Sequence, residues 1–164
     1  METPYVVFID AFISRIEKDI DFFNYFMMID EQAMDLAYKR AKVYLHEAFS
    51  RIMMECNPSV DFFDYDDASE TLNFEVNGKE VFLVSMLMYE SYLSRDISKI
   101  KIRNVDYTST DLRVFDPSNS RATFMDIYNN VRKQNEELLD TYKNTDRMTN
   151  DYVGVDYTRY DLEE

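Results

Sequence analysis

The sequence predicts a mainly α-helical protein: a small bundle of about four to five helices with a short β-hairpin, extended segments and an extended C-terminal arm. Three observations support this. Apolar residues recur at three- and four-residue spacing along most of the chain. Two glycines and three prolines interrupt 164 residues, and one strong turn signal, Asn77-Gly78, follows a short alternating segment. We therefore expect a helical domain over residues 1–143, followed by an acidic, tyrosine-rich arm over 144–164.

Charge is the strongest global feature. The chain has 18 Lys and Arg against 32 Asp and Glu, a net charge of −14. Such a surface repels phosphate and anionic lipid, so we expect neither direct nucleic-acid binding nor a membrane partner. The single cysteine, Cys56, excludes an internal disulfide framework and fits a reducing compartment. The start of the chain lacks a basic leader, and the apolar run 22–29 is too short to span a bilayer, so a soluble protein is expected.

Two helices are predicted in the first third of the chain. Apolar residues recur with helical spacing over Tyr5–Ile20, and a long second helix is predicted from Glu31 to about Cys56, with Asp30 as its cap. Between them, DFFNYFMMID at 21–30 is nearly all apolar, which indicates a core segment or a surface for a partner. The second helix carries a local basic patch, interpreted as a solvated face. Its residues are Lys39, Arg40 and Lys42.

The segment VDFFDYDDASE at 60–70 concentrates carboxylates without a positive charge. A calcium loop of the Asp-x-Asp-x-Asp-Gly type needs a glycine for its sharp turn, and the ligand order fails here at Ala68. The segment is therefore interpreted as a solvated acidic loop anchored by Phe62 and Phe63. The sequence predicts no metal site.

A small hairpin and a central helix follow. Residues 72, 74 and 76 are apolar and alternate with polar ones, and Asn77-Gly78 is a strong hairpin turn signal. From Glu80 to about Ile97 the sequence is apolar on nearly all helical faces, which indicates a central helix packed all round. Residues 98–112 then alternate charged and apolar side chains, which predicts an extended edge segment. Its basic side chains are Lys99, Lys101 and Arg103.

The last strong helix is predicted over roughly 117–143. Asp116 can cap it, and Pro117 fits the first helical position, where no backbone N–H is required. Gln134 and Asn135 interrupt its apolar stripe, so its far half is expected to leave the body of the domain.

The tail 144–164 shows no helical stripe but is rich in tyrosine and aspartate. Tyrosine supplies large contact area at low entropic cost, which favours an arm that orders on a partner; plain disorder is the open alternative. The predicted interface residues of this arm are Tyr152, Val153, Val155, Tyr157 and Tyr160.

The sequence does not predict an enzyme. His46 is the only histidine, and its neighbour at helical spacing with a hydroxyl is Ser50. Cys56 lies ten residues further along the same predicted helix, about 15 Å away. One cysteine and one histidine cannot supply a usual zinc ligand set, and two isolated glycines cannot form a phosphate-binding loop. We expect no catalytic residues, no metal and no cofactor.

The order of segments over residues 30–142 resembles the small head-tail connector, or adaptor, proteins of tailed bacteriophages. LMYESYL at 87–93 and the helix start FDPSNSRATF at 115–124 carry the resemblance. It implies a virion protein of the neck, made in the host cytoplasm, that forms a portal-matched, twelve-fold ring of identical subunits. The implied partners are the portal protein and the next neck or tail-completion protein, with DNA passing through the lumen without specific binding. Lys99, Lys101 and Arg103 are then expected to meet an acidic face of the neighbouring subunit.

A second interpretation remains open. An acidic protein can imitate DNA and occupy the basic groove of a nucleic-acid enzyme as a mimic or regulator. Such a protein needs carboxylates spread along one rigid face. In the densest acidic run, 61–70, aromatic residues are interleaved with the carboxylates, which favours anchoring over imitation.

Overall fold

The computed structural model describes residues 2–16, 30–106 and 117–153, which form four helices and a small three-stranded sheet. The helices are α1 (Val6–Ile16), α2 (Asp30–Cys56), α3 (Gly78–Asp106) and α4 (Pro117–Lys143). The strands are β1 (Thr3–Pro4), β2 (Tyr65–Asp66) and β3 (Thr71–Leu72), antiparallel and in the order β1-β3-β2. The predicted helical bundle with a short hairpin is confirmed. Within these ranges no helix is both long and apolar enough to cross a bilayer.

Helix α3 is the central element of the bundle, as its apolar sequence predicts. It contacts α1, α2 and α4, and all six residues from 83 to 88 are buried. Helix α1 buries one face, formed by Phe8, Ile9, Phe12 and Ile16. The predicted first helix reached Ile20, but residues 17–29 lie outside the described part of the chain, as does the predicted cap Asp116. Helix α4 begins at Pro117, where the sequence predicts it.

An aromatic cluster joins the small sheet to the helices. Phe49 of α2 is fully buried and meets the rings of Phe8 and Phe62, each with a centroid distance of 5.6 Å. The rings of Tyr5 and Tyr65 lie 6.3 and 6.2 Å from the same side chain. The three short strands are therefore held by packing on α1 and α2 as much as by their own few hydrogen bonds.

The hairpin forms earlier in the chain than predicted. Strands β2 and β3 pair through a turn at 67–70, whereas Asn77 caps α3. The Asn77 side chain accepts hydrogen bonds from the backbone N–H groups of Lys79 and Glu80, and Glu80 in return accepts one from the Asn77 N–H at 2.8 Å. This reciprocal arrangement is a capping box. The prediction of a turn at Asn77-Gly78 was wrong because Gly78 opens a helix with an ordinary negative φ.

The extended edge predicted over 98–112 is also wrong over its first half. Helix α3 is 29 residues long and continues to Asp106, so Lys99, Lys101 and Arg103 have helical backbone. No proline or glycine follows Gly78 within α3, so nothing stops a helix that is already formed from adding residues. Alternation over five residues indicates a strand only weakly, and it does not outweigh the tendency of a long helix to continue. Residues 107–112 lie outside the described residues.

Asn135 does not mark a departure of α4 from the body. Its side chain is fully buried, and its amide donates to the backbone oxygen of Met86 at 3.1 Å and to Glu90 Oε2 at 2.7 Å. Leu139, one turn later, is buried as well. The prediction failed because a polar residue at a core position is tolerated when partners on a neighbouring helix accept its hydrogen bonds.

Cys56 supports a prediction about stability at alkaline pH. Its thiol is buried and lies 3.5 Å from the backbone oxygen of Leu139, and burial raises its pKa from 9.0 to about 11. The native chain therefore keeps a proton that the unfolded chain releases. The protonated thiol therefore contributes to the free energy of unfolding. This contribution is complete below pH 9 and is lost as the pH rises towards 11, by up to about 1.4 kcal/mol per pH unit.

Urea denaturation of the wild type and Cys56→Ala between pH 9 and pH 11 measures this effect. The alanine chain, which lacks the thiol, is expected to lose less free energy of unfolding over this interval than the wild type. Equal losses in the two chains would contradict the assignment to Cys56.

Candidate functional site

A groove of about 510 Å³ runs between α2, α3 and α4, and arginines line it. We call it the arginine groove. Its charged lining residues are Arg40, Arg51, Arg95, Glu47 and Glu90. In a chain of net charge −14, guanidinium groups outnumber carboxylates here. Such a groove attracts anionic groups, and the planar guanidinium binds carboxylates through paired hydrogen bonds.

Helical spacing brings these side chains to one place. Arg40, Glu47 and Arg51 recur at seven and four residues along α2, so they share one face of that helix. Ser91 and Arg95 occupy neighbouring turns of α3. The groove exists because these two faces meet, and α4 adds the side chain of Tyr128.

Arg51 and Glu90 form the fixed part of the groove. Arg51 Nη1 lies 2.6 Å from Glu90 Oε2, and its Nε donates to Glu55 at 2.9 Å. Asn135 donates to the same Glu90 oxygen. Burial acts to lower the pKa of Arg51, but the two carboxylates outweigh it and hold the pKa above its usual value. These side chains bind one another, and their contacts hold together the helices that line the groove.

Arg95 is differently placed. Its Nη1 donates to the hydroxyl of Tyr44 at 2.9 Å, and it is only partly buried. Among the side chains described at 2–16, 31–95 and 124–153, no carboxylate lies within ion-pair distance of it. Its charge is therefore the one best placed to meet an incoming anionic group.

The three residues of the predicted basic patch on α2 have different surroundings in the structure. Lys39 pairs with Asp35 at 2.7 Å, and Lys42 pairs with Glu70 at 3.0 Å. Arg40 lines the arginine groove instead. Of the three groove arginines, Arg40 belongs to the basic patch predicted from the sequence, whereas Arg51 and Arg95 were not predicted. The spacing of charged residues along α2 was the available signal for Arg51, whereas Arg95 depends on how α3 packs.

The C-terminal arm begins with an ordered turn. Thr145 pairs with Tyr152 in an antiparallel bridge, and the Val153 N–H donates to the Asn144 oxygen at 2.9 Å. The Asp146 carboxylate accepts the N–H groups of the following turn, and these hydrogen bonds lower its pKa. Residues 144–153 therefore do not extend from the body, because local hydrogen bonds close them into a turn. The rest of the predicted arm, 154–164, lies outside the described residues.

A cluster around Glu80 attaches this turn to the bundle. Glu80 is fully buried, and its carboxylate accepts hydrogen bonds from Arg147 Nε at 2.5 Å and from the Tyr142 hydroxyl at 2.8 Å. Arg147 also donates to the Glu75 backbone oxygen, and its guanidinium lies 5.4 Å from the centre of the Phe74 ring. Burial and the Glu80 hydrogen bond raise the pKa of Tyr142. We call Glu80, Tyr142 and Arg147 the C-terminal clasp.

The predicted interface residues are only partly described. Tyr152 and Val153 are 77% and 61% exposed, at the end of the turn, so both are accessible to a partner. Val155, Tyr157 and Tyr160 lie outside the described residues. For Lys99, Lys101 and Arg103 the structure describes the backbone of α3 but not the side chains. Their predicted role at an interface stays a prediction.

Several carboxylates of the acidic loop accept hydrogen bonds from within the loop and its hairpin. Asp61 accepts the Phe63 N–H, Asp64 accepts the Asn73 side-chain amide, and Asp66 accepts the Ala68 N–H, all within 2.9 Å. Phe62 is fully buried, but Phe63 is half exposed, so one phenylalanine rather than two anchors the loop. Within 2–16, 30–106 and 117–153, no group of histidine, cysteine, aspartate or glutamate is arranged to hold a metal ion.

His46 lies against the small sheet. Its ring stacks on Tyr65 at a centroid distance of 4.8 Å, and its Nε2 lies 3.1 Å from Asp67 Oδ1. The Tyr5 hydroxyl donates to the same Asp67 oxygen at 3.1 Å. These contacts tie α2 to the acidic loop.

No protein-family model, curated protein or solved structure matches the chain.

Proposed function

We propose that this chain is a self-assembling structural protein, a head-tail connector of a tailed bacteriophage that forms a ring beneath the portal. The observation that carries the proposal is a basic groove on a strongly acidic chain. A head-to-tail contact between identical subunits needs two different, complementary surfaces, and it closes into a ring when the rotation between neighbours allows it. The arginine groove and the acidic remainder of the surface supply such a complementary pair.

The resemblance of residues 30–142 to connector proteins supports the particular class. LMYESYL at 87–93 belongs to the central part of α3, and Pro117 within FDPSNSRATF opens α4. The basic segment after residue 98 departs from the expected extended form, because it is helical to Asp106. On this proposal the protein is part of the virion neck. It contacts the portal and the next neck protein, and its acidic surface lets DNA pass without holding it.

Native mass spectrometry over a concentration series, at low and at moderate salt, tests the assembly. The expected result is a closed ring of many subunits whose population decreases as salt increases, because salt screens contacts between exposed charges. A two-fold dimer, or a monomer at every concentration, would contradict self-assembly into a ring.

The DNA-mimic interpretation has less support from the described residues. Imitation of DNA requires carboxylates that remain free along one rigid face. In the acidic loop, Asp61, Asp64 and Asp66 are instead used in hydrogen bonds within the loop and its hairpin.

A further inference from the structure

We propose that the arginine groove of one copy binds the acidic segment 154–164 of a neighbouring copy. This inference rests on the proposed assembly of identical subunits and names the contact that would hold them together. It is carried by the charges that line the groove, by the composition of the segment, and by the point on the bundle from which the segment departs.

The charges are complementary. The sequence GVDYTRYDLEE at 154–164 contains four carboxylates and one arginine. The groove presents three guanidinium groups and two carboxylates, and Glu90 is buried and already bound to Arg51 and Asn135. Of the three guanidinium groups, Arg95 has no carboxylate within ion-pair distance among the described side chains, so we expect it to meet an incoming carboxylate. Arginine and carboxylate form short, charge-assisted hydrogen bonds, often in pairs.

The uncharged lining also suits this segment. Val43 is exposed and borders the groove, as do the side chains of Tyr44 and Tyr128. The segment alternates its carboxylates with valine, tyrosine and leucine. About 510 Å³ accommodates a few such side chains rather than the whole segment, so we expect one acidic residue and its aromatic neighbour to enter.

The C-terminal clasp determines where the segment begins. Arg147 binds Glu80, so residues up to Val153 are attached at the end of α4. Tyr128, in the groove, lies fifteen residues from Lys143, which is about 22 Å along the helix. The segment thus departs from the C-terminal end of α4, whereas the groove is lined by the middle of α2, α3 and α4. Eleven extended residues span up to about 36 Å, so the segment of an adjoining copy can reach the groove. The same length also exceeds the 22 Å to the groove of its own chain, and the mixing experiment below distinguishes the two contacts.

A charge-swap experiment tests the contact. One variant carries Arg95→Glu, and a second carries Asp156→Lys with Asp161→Lys. Each alone is expected to raise the dissociation constant of self-association by at least about tenfold, because like charges then face each other. An equimolar mixture is expected to recover association, since the unchanged segment of the first variant meets the unchanged groove of the second. Native mass spectrometry separates the mixed species by mass.

The control is Lys133→Glu, which makes the same change of charge at an exposed site on α4. It is expected to leave association unchanged. Circular dichroism and a thermal melt confirm that Arg95→Glu remains folded, which we expect because Arg95 is only partly buried.

The outcomes separate this inference from the proposed function. Rings that persist in both variants overturn the inference and leave the ring assembly intact. Loss of association in each variant without recovery in the mixture also overturns it, because the segment then acts on its own chain or the groove has another occupant.

If the wild type forms no ring, the proposed function fails, and the inference is tested separately with a fluorescent peptide of sequence 154–164. Peptide binding to the full chain that is lost in Arg95→Glu supports the contact. Absence of binding overturns it.

Discussion

Replacing Glu80 by alanine is expected to lower the free energy of unfolding by about 3–5 kcal/mol. The carboxylate is fully buried and accepts hydrogen bonds from Arg147, Tyr142 and the Asn77 N–H. Its removal leaves a largely buried guanidinium and a phenolic hydroxyl without an acceptor, and it also removes one half of the α3 capping box. The C-terminal turn and the start of α3 depend on this one side chain.

Chemical denaturation of Glu80→Ala beside Glu75→Ala measures the effect. Glu75 is exposed, so its replacement is expected to change stability by no more than about 0.5 kcal/mol. The double variant Glu80→Ala/Arg147→Ala is expected to be more stable than the sum of the single losses predicts, because the unpaired cation is gone. A loss below about 1 kcal/mol in Glu80→Ala would show that the clasp contributes little.

Truncation of the chain gives a second measurement of the same contact. An arm that begins at residue 144, as the sequence predicts, could be deleted without loss of the domain. Deletion from 144 removes Arg147 and is now expected to destabilise the bundle, whereas deletion from 154 retains the clasp and is expected to preserve stability. Equal stability of the two truncated chains would contradict the role of Arg147.

Replacing Phe49 by alanine is expected to destabilise the protein by about 3–5 kcal/mol. The ring is fully buried among Phe8, Phe62, Tyr5 and Tyr65, which belong to α1, the acidic loop and the small sheet. Its loss opens a cavity that several elements line, and none of them can move in to fill it without losing its own contacts.

Phe63→Ala is the matched control, because it makes the same chemical change at a half-exposed site. Its expected cost is below about 1 kcal/mol. Urea denaturation of both variants tests the pair, and near-equal losses would indicate that Phe49 is not a central packing residue.

The two failed predictions of local structure have a common physical cause. Asn77-Gly78 is a hairpin signal when strands flank it, but Glu80 three residues after Asn77 completes a capping box and starts a helix instead. The alternating residues from 98 resemble an edge strand, but they follow a helix that nothing interrupts. In both places a short sequence pattern predicted a turn or a strand, but the residues belong to the start or the continuation of a helix of 29 residues.

Periodicity and composition were sufficient for the helical class, the central position of α3 and most of the core, because amphipathic spacing depends only on neighbours along the chain. The start of α4 at Pro117 followed from local chemistry in the same way. The acidic character of the surface is a property of composition and needs no fold.

The arginine groove and the C-terminal clasp could be found only in the tertiary structure. Arg51 and Glu90 are 39 residues apart, and Glu80 and Arg147 are 67 apart. Which side chains meet over such separations is decided by the angles at which α2, α3 and α4 pack, and local spacing carries no information about those angles. For the same reason Asn135 appeared to interrupt a helix face, when packing of α4 on α3 gives its amide two acceptors in the core.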